Sequence, residues 1–274
     1  MYYTVSLQKI KHRRTSARIF WDERMMRMSE NVFYIPQGTP VMRRVRDKLL
    51  HCCVVADVPG NCVTHLVLGV PSLEADGSLK GGGPLAPVLE TLPRNITIVG
   101  GNLDHPVLEK CRKIDLLKNE RYLWENAAIT AECAISLARQ RMNRCWKNTS
   151  VLILGFGRIG FHLARTLKTL GASVTVAARK ESTLAQAESL GLRAISFSAL
   201  DPAAFPVIFN TVPHMVLPEE MCKSCDSGCI KMDLASKPGI GGSGVIWARG
   251  LPGKYAPESS ADLIVKTILR EVSI

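Results

Sequence analysis

The feature that most constrains this chain is a glycine-punctuated turn between an apolar run and an amphipathic one. Residues 151–154 are all apolar and read as a buried strand. Gly155-Phe156-Gly157-Arg158-Ile159-Gly160 follows, and then Ile159, Leu163, Leu167 and Leu170 repeat at helical spacing until Gly171 stops the helix. Residues 173–177 return as a second strand. A G-x-G-x-x-G is weak evidence alone. Here it leaves a strand, opens a helix and sits inside a unit of about 30 residues, which is the context a dinucleotide-binding βαβ unit requires. Gly155 is expected to make the tight turn. Gly157 leaves the helix N-terminus open to a pyrophosphate, with Arg158 and Ile159 supplying backbone N–H groups, and Gly160 lets helix and strand pack closely.

The end of the second strand sets the cofactor. An acidic residue there accepts hydrogen bonds from the adenosine ribose and repels a 2′-phosphate. This chain has Ala177-Ala178-Arg179-Lys180-Glu181. No carboxylate occupies the strand tip and two cations follow it, so Arg179 and Lys180 point to NADP rather than NAD. The alternative is that both are solvated residues at a strand end, and Glu181 leaves room for a ribose hydroxyl.

The rest of the second half alternates strand and helix. A helix capped by Ser182 runs to residue 190, and strands are expected over 193–197, 207–210, 230–234 and 245–248. A last helix starts at Ser259 or Ser260. Such alternation predicts a doubly wound parallel sheet of the Rossmann kind. Its ligands bind beyond the carboxyl ends of the strands, which places Asn210, Thr211, Val212 and Pro213, and also Asp233 and Ala235, beside the cofactor.

Upstream, residues 65–70 and 96–99 read as buried strands, 32–35 as a short strand, 76–84 as a glycine-rich loop and 105–112 as a helical stretch. Residues 120–143 carry an apolar stripe and form a long connector helix. The expected division is a smaller N-terminal α/β domain for substrate or partner (1–122), a connector (123–147) and an NADP-binding domain (148–274).

With 274 residues, 46% of them apolar, the chain can bury a substantial core. No apolar run is long enough to span a bilayer, and residues 9–24 lack the apolar core of a signal peptide, so the expected compartment is the cytoplasm. The formal net charge of +11 favours anionic partners. Basic residues crowd residues 9–18 and Arg43, Arg44, Arg46 and Lys48. No zinc finger or recognition-helix pattern accompanies them, which disfavours nucleic acid.

At this point the residues resemble a known family. Residues 151–166, Ala177-Ala178-Arg179, residues 210–213, Asp233-Leu234-Ala235-Ser236-Lys237-Pro238-Gly239, and Gly250-Leu251-Pro252-Gly253 with Ala256-Pro257 are similar to the A subunit of dipicolinate synthase. Asn126-Ala127-Ala128-Ile129-Thr130-Ala131-Glu132 is similar to that family's connector motif. The resemblance implies a two-domain, NADP-linked component of a sporulation enzyme that works with a flavoprotein-like B subunit. It would oxidise a dihydrodipicolinate-type intermediate, derived from the lysine pathway, to pyridine-2,6-dicarboxylate. A small dicarboxylate is the expected substrate and a homo-oligomer the expected assembly. The chain departs from the family's pattern in three places. Residues 1–18 hold no glycine, Ile129 and Cys133 replace a proline and a glycine, and a glycine-rich stretch over 238–250 replaces a helix.

The candidate catalytic residues are Glu132 and Thr130 on the connector helix and His214 after the 210–213 loop. Ser72, just past a strand end, is a candidate for holding a substrate carboxylate, and His105 is a weaker histidine. Cys222, Cys225 and Cys229 have a ligand-like spacing, but a closed zinc site needs four ligands, so no metal is expected. Two alternatives stay open beside the oxidoreductase: a non-catalytic NADP-binding protein, and an enzyme like the 2-hydroxyacid dehydrogenases.

Overall fold

The computed structural model describes residues 31–36 and 38–272. The basic cluster at residues 9–18 and the glycine-free opening lie outside the described residues. Two parallel sheets stand in sequence along the chain, each interleaved with helices, so the fold is α/β with a Rossmann-type second half.

The first sheet contains β1 (Val32–Tyr34), β2 (Val54–Ala56), β3 (His65–Val67), β4 (Thr97–Gly100) and β5 (Arg112–Asp115), in the order β2-β1-β3-β4-β5. Helix α1 (Pro40–Leu50) joins β1 to β2. Thr39 caps it, accepting from the Met42 N–H, and Pro40 occupies the first turn, where its missing N–H costs nothing. Only Met42, Val45 and Leu49 turn inward. That thin stripe among arginines and lysines left α1 unread in the sequence. The short helix α2 (Ala86–Glu90) follows the glycine-rich loop.

The helical stretch expected over 105–112 is corrected: it is a single 3-10 turn, Pro106–Leu108, and Arg112 already opens β5. Strand β5 is an edge strand opening with Arg112 and Lys113. Charged edge positions conceal the strand pattern while protecting the edge from foreign pairing.

Helix α3 (Glu120–Arg139) connects the two halves. The second sheet holds β6 (Ser150–Leu154), β7 (Ser173–Ala178), β8 (Arg193–Ser196), β9 (Val207–Asn210), β10 (Ile230–Asp233) and β11 (Val245–Trp247), in the order β11-β10-β9-β6-β7-β8. Helices α4 (Arg158–Thr169), α5 (Glu181–Ser189) and α6 (Glu219–Cys222) are interleaved with it. The chain runs outward from β6 to β7 and β8, then returns to lay β9 on the other side of β6. That reversal creates the crevice where doubly wound sheets bind ligands.

Helix α5 begins at Glu181 with Lys180 before it, so Ser182 lies inside the first turn and is not its cap. The strands β10 and β11 are joined through residues 234–244 without a helix. Helices α7 (Leu251–Tyr255) and α8 (Pro257–Val272) end the described chain. Pro257, with its φ preset for a first turn, starts α8 ahead of Ser259.

Helix α8 belongs by packing to the first sheet. Ala261, Leu263, Ile264 and Ile268 share one apolar cluster with Phe33, Met42, Val45, Leu49 and Val99. Its exposed side is tied to α1: Arg44 and Lys48 pair with Glu258, and Lys48 with Asp262 at 2.7 Å. Arg46 pairs with Asp57. Much of the basic run in α1 therefore faces the protein's own carboxylates. No helix among the described residues is long and apolar enough to cross a membrane.

Candidate functional site: the crevice at the glycine loop

The three glycines divide the work as their spacing implies. Gly155 has φ +90°, and a Cβ there would stand 2.7 Å from both Thr211 Oγ1 and Val212 Cγ2. A Cβ on Gly160 would stand 2.3 Å from the Gly155 carbonyl oxygen, so helix and loop meet backbone to backbone. A Cβ on Gly157 would meet nothing within 4 Å. Gly157 precedes α4 and offers no side-chain cap. The first N–H groups of α4, from Arg158, Ile159 and Gly160, thus face open space with the positive end of the helix dipole. Such a cradle fits a pyrophosphate.

The Arg158 side chain turns away from this cradle, donating from Nη2 to both carboxylate oxygens of Glu120 at 2.7 Å. It fastens the start of α3 to the start of α4. Ile159 packs against the second sheet's core. Phe156 in the loop, Phe161 on α4 and Trp124 on α3 form a chain of ring contacts, with the Trp124 and Phe161 centroids 5.5 Å apart and edge-on. The sequence reading missed this aromatic link. Its only signal is three aromatic residues spread over distant segments.

At the tip of β7, Ala178 is buried while Arg179 and Lys180 are exposed, and neither cation pairs with a described carboxylate. The guanidinium is therefore available to a phosphate. A charge-assisted bond of that kind contributes about 1.5–3 kcal/mol. Glu181, exposed in the first turn of α5, opposes it through solvent with well under that amount, about 1 kcal/mol at most.

The far wall is built on a buried polar hub. Asn210 and Asp233 end neighbouring strands and are 0% and 1% exposed. Asn210 Nδ2 donates to Asp233 Oδ1 at 2.9 Å and to the Val212 carbonyl at 3.0 Å, and its Oδ1 accepts from the Val212 N–H. Asp233 also accepts the N–H groups of Ala235, Gly239 and Ile240. A Cβ on Gly239 would stand 2.3 Å from Asn210 Nδ2 and 2.6 Å from the His214 carbonyl. The hub thus fixes residues 211–214 by threading the backbone of 239 beneath them. Thr211 Oγ1 donates to the Leu154 carbonyl at 3.0 Å, tying the same loop to β6. The side chains of Asn210, Thr211 and Asp233 are occupied within the protein, so they shape the crevice wall, and Pro213 stands exposed on it.

Residues 120–218 match the family described as D-isomer specific 2-hydroxyacid dehydrogenase, NAD binding domain. Over 238 residues the chain is 26% identical to the A subunit of dipicolinate synthase from Bacillus subtilis (strain 168), covering 79% of this chain and 80% of that protein. The chain resembles the A subunit of dipicolinate synthase. The solved structure of that subunit from Bacillus halodurans superposes with a TM-score of 0.80 at 22% identity, over 89% of this chain and 98% of that one. The corresponding dipicolinate synthase structure from Bacillus subtilis gives 0.76 at 22% identity, over 89% and 96%. The dipicolinate synthase likeness and the NAD-binding family together support a nicotinamide cofactor and an oxidoreductase role.

The remaining candidates are dispersed. Thr130 is buried on α3 and donates to the Asn126 carbonyl at 2.8 Å, while Glu132, two residues on, is exposed. His214 is exposed on the loop held by the hub. Ser72 is 1% exposed; its hydroxyl donates to the Gly69 carbonyl and accepts the Gly101 N–H at 2.9 Å. It joins two loops of the first sheet rather than offering itself to a carboxylate. His105 accepts from the Val107 N–H and caps its own 3-10 turn.

Cys222 and Cys229 are buried, with Cys225 between them in sequence and partly buried. Burial pushes the Cys229 thiol up to about 12, reinforced by the neighbouring Cys225. Cys229 Sγ lies 3.2 Å from the Phe205 carbonyl. Among the described residues no three His, Cys, Asp or Glu side chains are placed to share a metal ion.

Proposed function

We propose that this chain is the NADP-dependent oxidoreductase component of a dipicolinate synthase. It would oxidise a dihydrodipicolinate-type intermediate to pyridine-2,6-dicarboxylate. The observation that carries the cofactor choice is the unpaired Arg179-Lys180 pair at the tip of β7, where a carboxylate would select NAD. The substrate class rests on the likeness to the A subunit of that enzyme.

In this reading the N–H groups of Arg158, Ile159 and Gly160 hold the pyrophosphate, and Arg179 with Lys180 holds the 2′-phosphate. Ala235 and residues 211–213 line the nicotinamide side. The cofactor, when bound, supplies a hydride acceptor. The chain's task is to hold a dihydropyridine dicarboxylate against it, exclude water and accept the ring proton. His214 is the acid–base candidate, because its loop is fixed against the crevice by the Asn210–Asp233 hub. Glu132 is the second candidate, and Thr130 supports the helix that carries it. The first sheet with α8 is assigned to substrate and to a flavoprotein-like partner, the B subunit of such a synthase, and the assembly is a cytoplasmic homo-oligomer.

One observation favours a second reading, a non-catalytic NADP-binding protein. The connector carries Ile129 and Cys133 around a Glu132 that faces solvent. Purified chain, alone and with a candidate flavoprotein partner, is given NADP and dihydrodipicolinate. Absorbance growth at 340 nm supports the enzyme. Tight NADPH binding without turnover in any combination leaves the binding protein, and absence of NADPH binding sinks both.

A further inference from the structure

The sheet that carries the glycine loop has an opposite end. A cavity of about 370 Å³ opens where β6, β7 and β8 begin, away from the crevice. Ser150, Ser173 and Arg193 are the first residues of those strands, and all three line it together with Thr175, Lys168 and Leu192.

The strand register explains why these polar side chains converge. Ser150 is the partner of Ser173, Thr175 is the partner of Arg193, and residues 173 and 175 share a face of β7. Further along the strands this face is apolar, contributing Leu152, Leu154 and Ala177 to a core cluster. A parallel strand covered on both faces ordinarily reads as an unbroken apolar run. Here the run is interrupted at its start by hydroxyls and a guanidinium.

Thr175 is only 4% exposed, and it lines the cavity. Lys168 Nζ donates to the carbonyls of Leu190 at 2.6 Å and Gly191 at 3.1 Å. An ammonium has three donors, so one remains while the charge is held in place. Arg193 makes no ion pair with a described residue, and no carboxylate lines the cavity. One fixed cation, one free cation and a buried hydroxyl therefore surround a space large enough for a small molecule. Leu192 and Phe205 give it an apolar wall.

We propose that this cavity binds a small molecule bearing an oxyanion, a carboxylate or a phosphate, at a site separate from the dinucleotide crevice. The anion takes the Arg193 fork, the remaining Lys168 hydrogen and the Thr175 hydroxyl, and its apolar part rests on Leu192 and Phe205. The site lies on β7, whose other end precedes Arg179, about 10 Å along the strand from Thr175 to Ala178.

The test is calorimetric titration of the full chain with inorganic phosphate and, separately, with benzoate, a carboxylate with an apolar ring. The variants are Arg193→Ala, Thr175→Val and, as control, Arg94→Ala. Arg193→Ala should weaken binding roughly tenfold and Thr175→Val about threefold, as expected for a charged and a neutral hydrogen bond. Arg94→Ala, an exposed cation before β4, should leave it unchanged. The tighter of the two probes identifies the source of the anion. Matching melting temperatures confirm that the variants fold. Absence of saturable binding by either probe overturns the proposal. So does an affinity that survives Arg193→Ala, or one that falls equally in Arg94→Ala, and neither result bears on NADPH binding in the crevice.

Discussion

Asn210 and Asp233 lie side by side at the ends of β9 and β10, with Asn210 Nδ2 2.9 Å from Asp233 Oδ1. Each side chain is satisfied by the other and by backbone, so two buried polar residues become a clamp on the loops that wall the crevice. Asp233→Ala would strand three buried N–H groups, those of Ala235, Gly239 and Ile240. The expected cost is about 3–5 kcal/mol, read from urea unfolding, with NADPH affinity lost alongside. An unfolding midpoint equal to wild type would show that the clamp is dispensable.

Gly157 and Gly160 should respond oppositely to the same substitution. Gly157→Ala adds a methyl group into open space and leaves the melting temperature unchanged, but it obstructs the pyrophosphate and raises the NADPH dissociation constant. Gly160→Ala drives a methyl group into the Gly155 carbonyl and should destabilise by about 1–3 kcal/mol. Thermal melts and fluorescence titrations of the two proteins decide it. Equal effects of the two variants on stability would contradict the division of roles.

Arg179→Asp should weaken NADPH binding by roughly 10–100-fold, the equivalent of one charge-assisted bond, while NADH binding holds or improves. Competition titrations of both cofactors measure it. An unchanged NADPH to NADH ratio would end the phosphate-binding assignment.

His162 on α4 faces α3, with its ring 5.7 Å from Trp124 and its Nε2 buried without a partner among the described residues. Burial, helped by Arg165, holds its pKa below the ordinary 6.5, and burial with Arg112 lowers that of His65 similarly. A lowered value means that the unfolded chain binds the proton more readily than the folded one. Stability is therefore full above 6.5 and is lost as pH falls from there through the folded-state values. His162→Gln should flatten part of that loss below pH 6.5 in urea midpoints. A variant as acid-sensitive as wild type would assign the loss elsewhere.

The thiols should sort by burial rather than by sequence pattern. Cys53 and Cys229 are both pushed up to about 12 by burial, whereas Cys62 and Cys145 are exposed. Alkylation of the native protein should label Cys62 and Cys145 first, with Cys53 and Cys229 labelled only on unfolding. Mass spectrometry of a time course gives the order, and early labelling of Cys229 would reverse it.

How much of this was legible in the sequence follows from how each element is held. The glycine loop was readable because Gly155, Gly157 and Gly160 answer to local geometry. The central strands β6, β7 and β9 of the second sheet were readable because burial on both faces makes them apolar runs. Helix α1 and the edge strand β5 were not, because each turns few apolar residues inward and presents its charges outward. The polar hub was half legible: the positions of Asn210 and Asp233 at the carboxyl ends of strands were clear. Their role as partners of each other was not, since it depends on β9 and β10 being neighbours. Ser72 looked available for a ligand because nothing in its own segment shows that the Gly101 N–H comes from another loop to claim it.

The packing of α8 against β1, α1 and β4 has a consequence for biosynthesis. The apolar contacts that complete the first sheet's core are supplied by residues 261–268, which leave the ribosome after the whole second sheet. The half made first is thus the half that finishes last. During translation the nucleotide-binding half can assemble while its predecessor waits, its open face needing protection until the closing helix emerges.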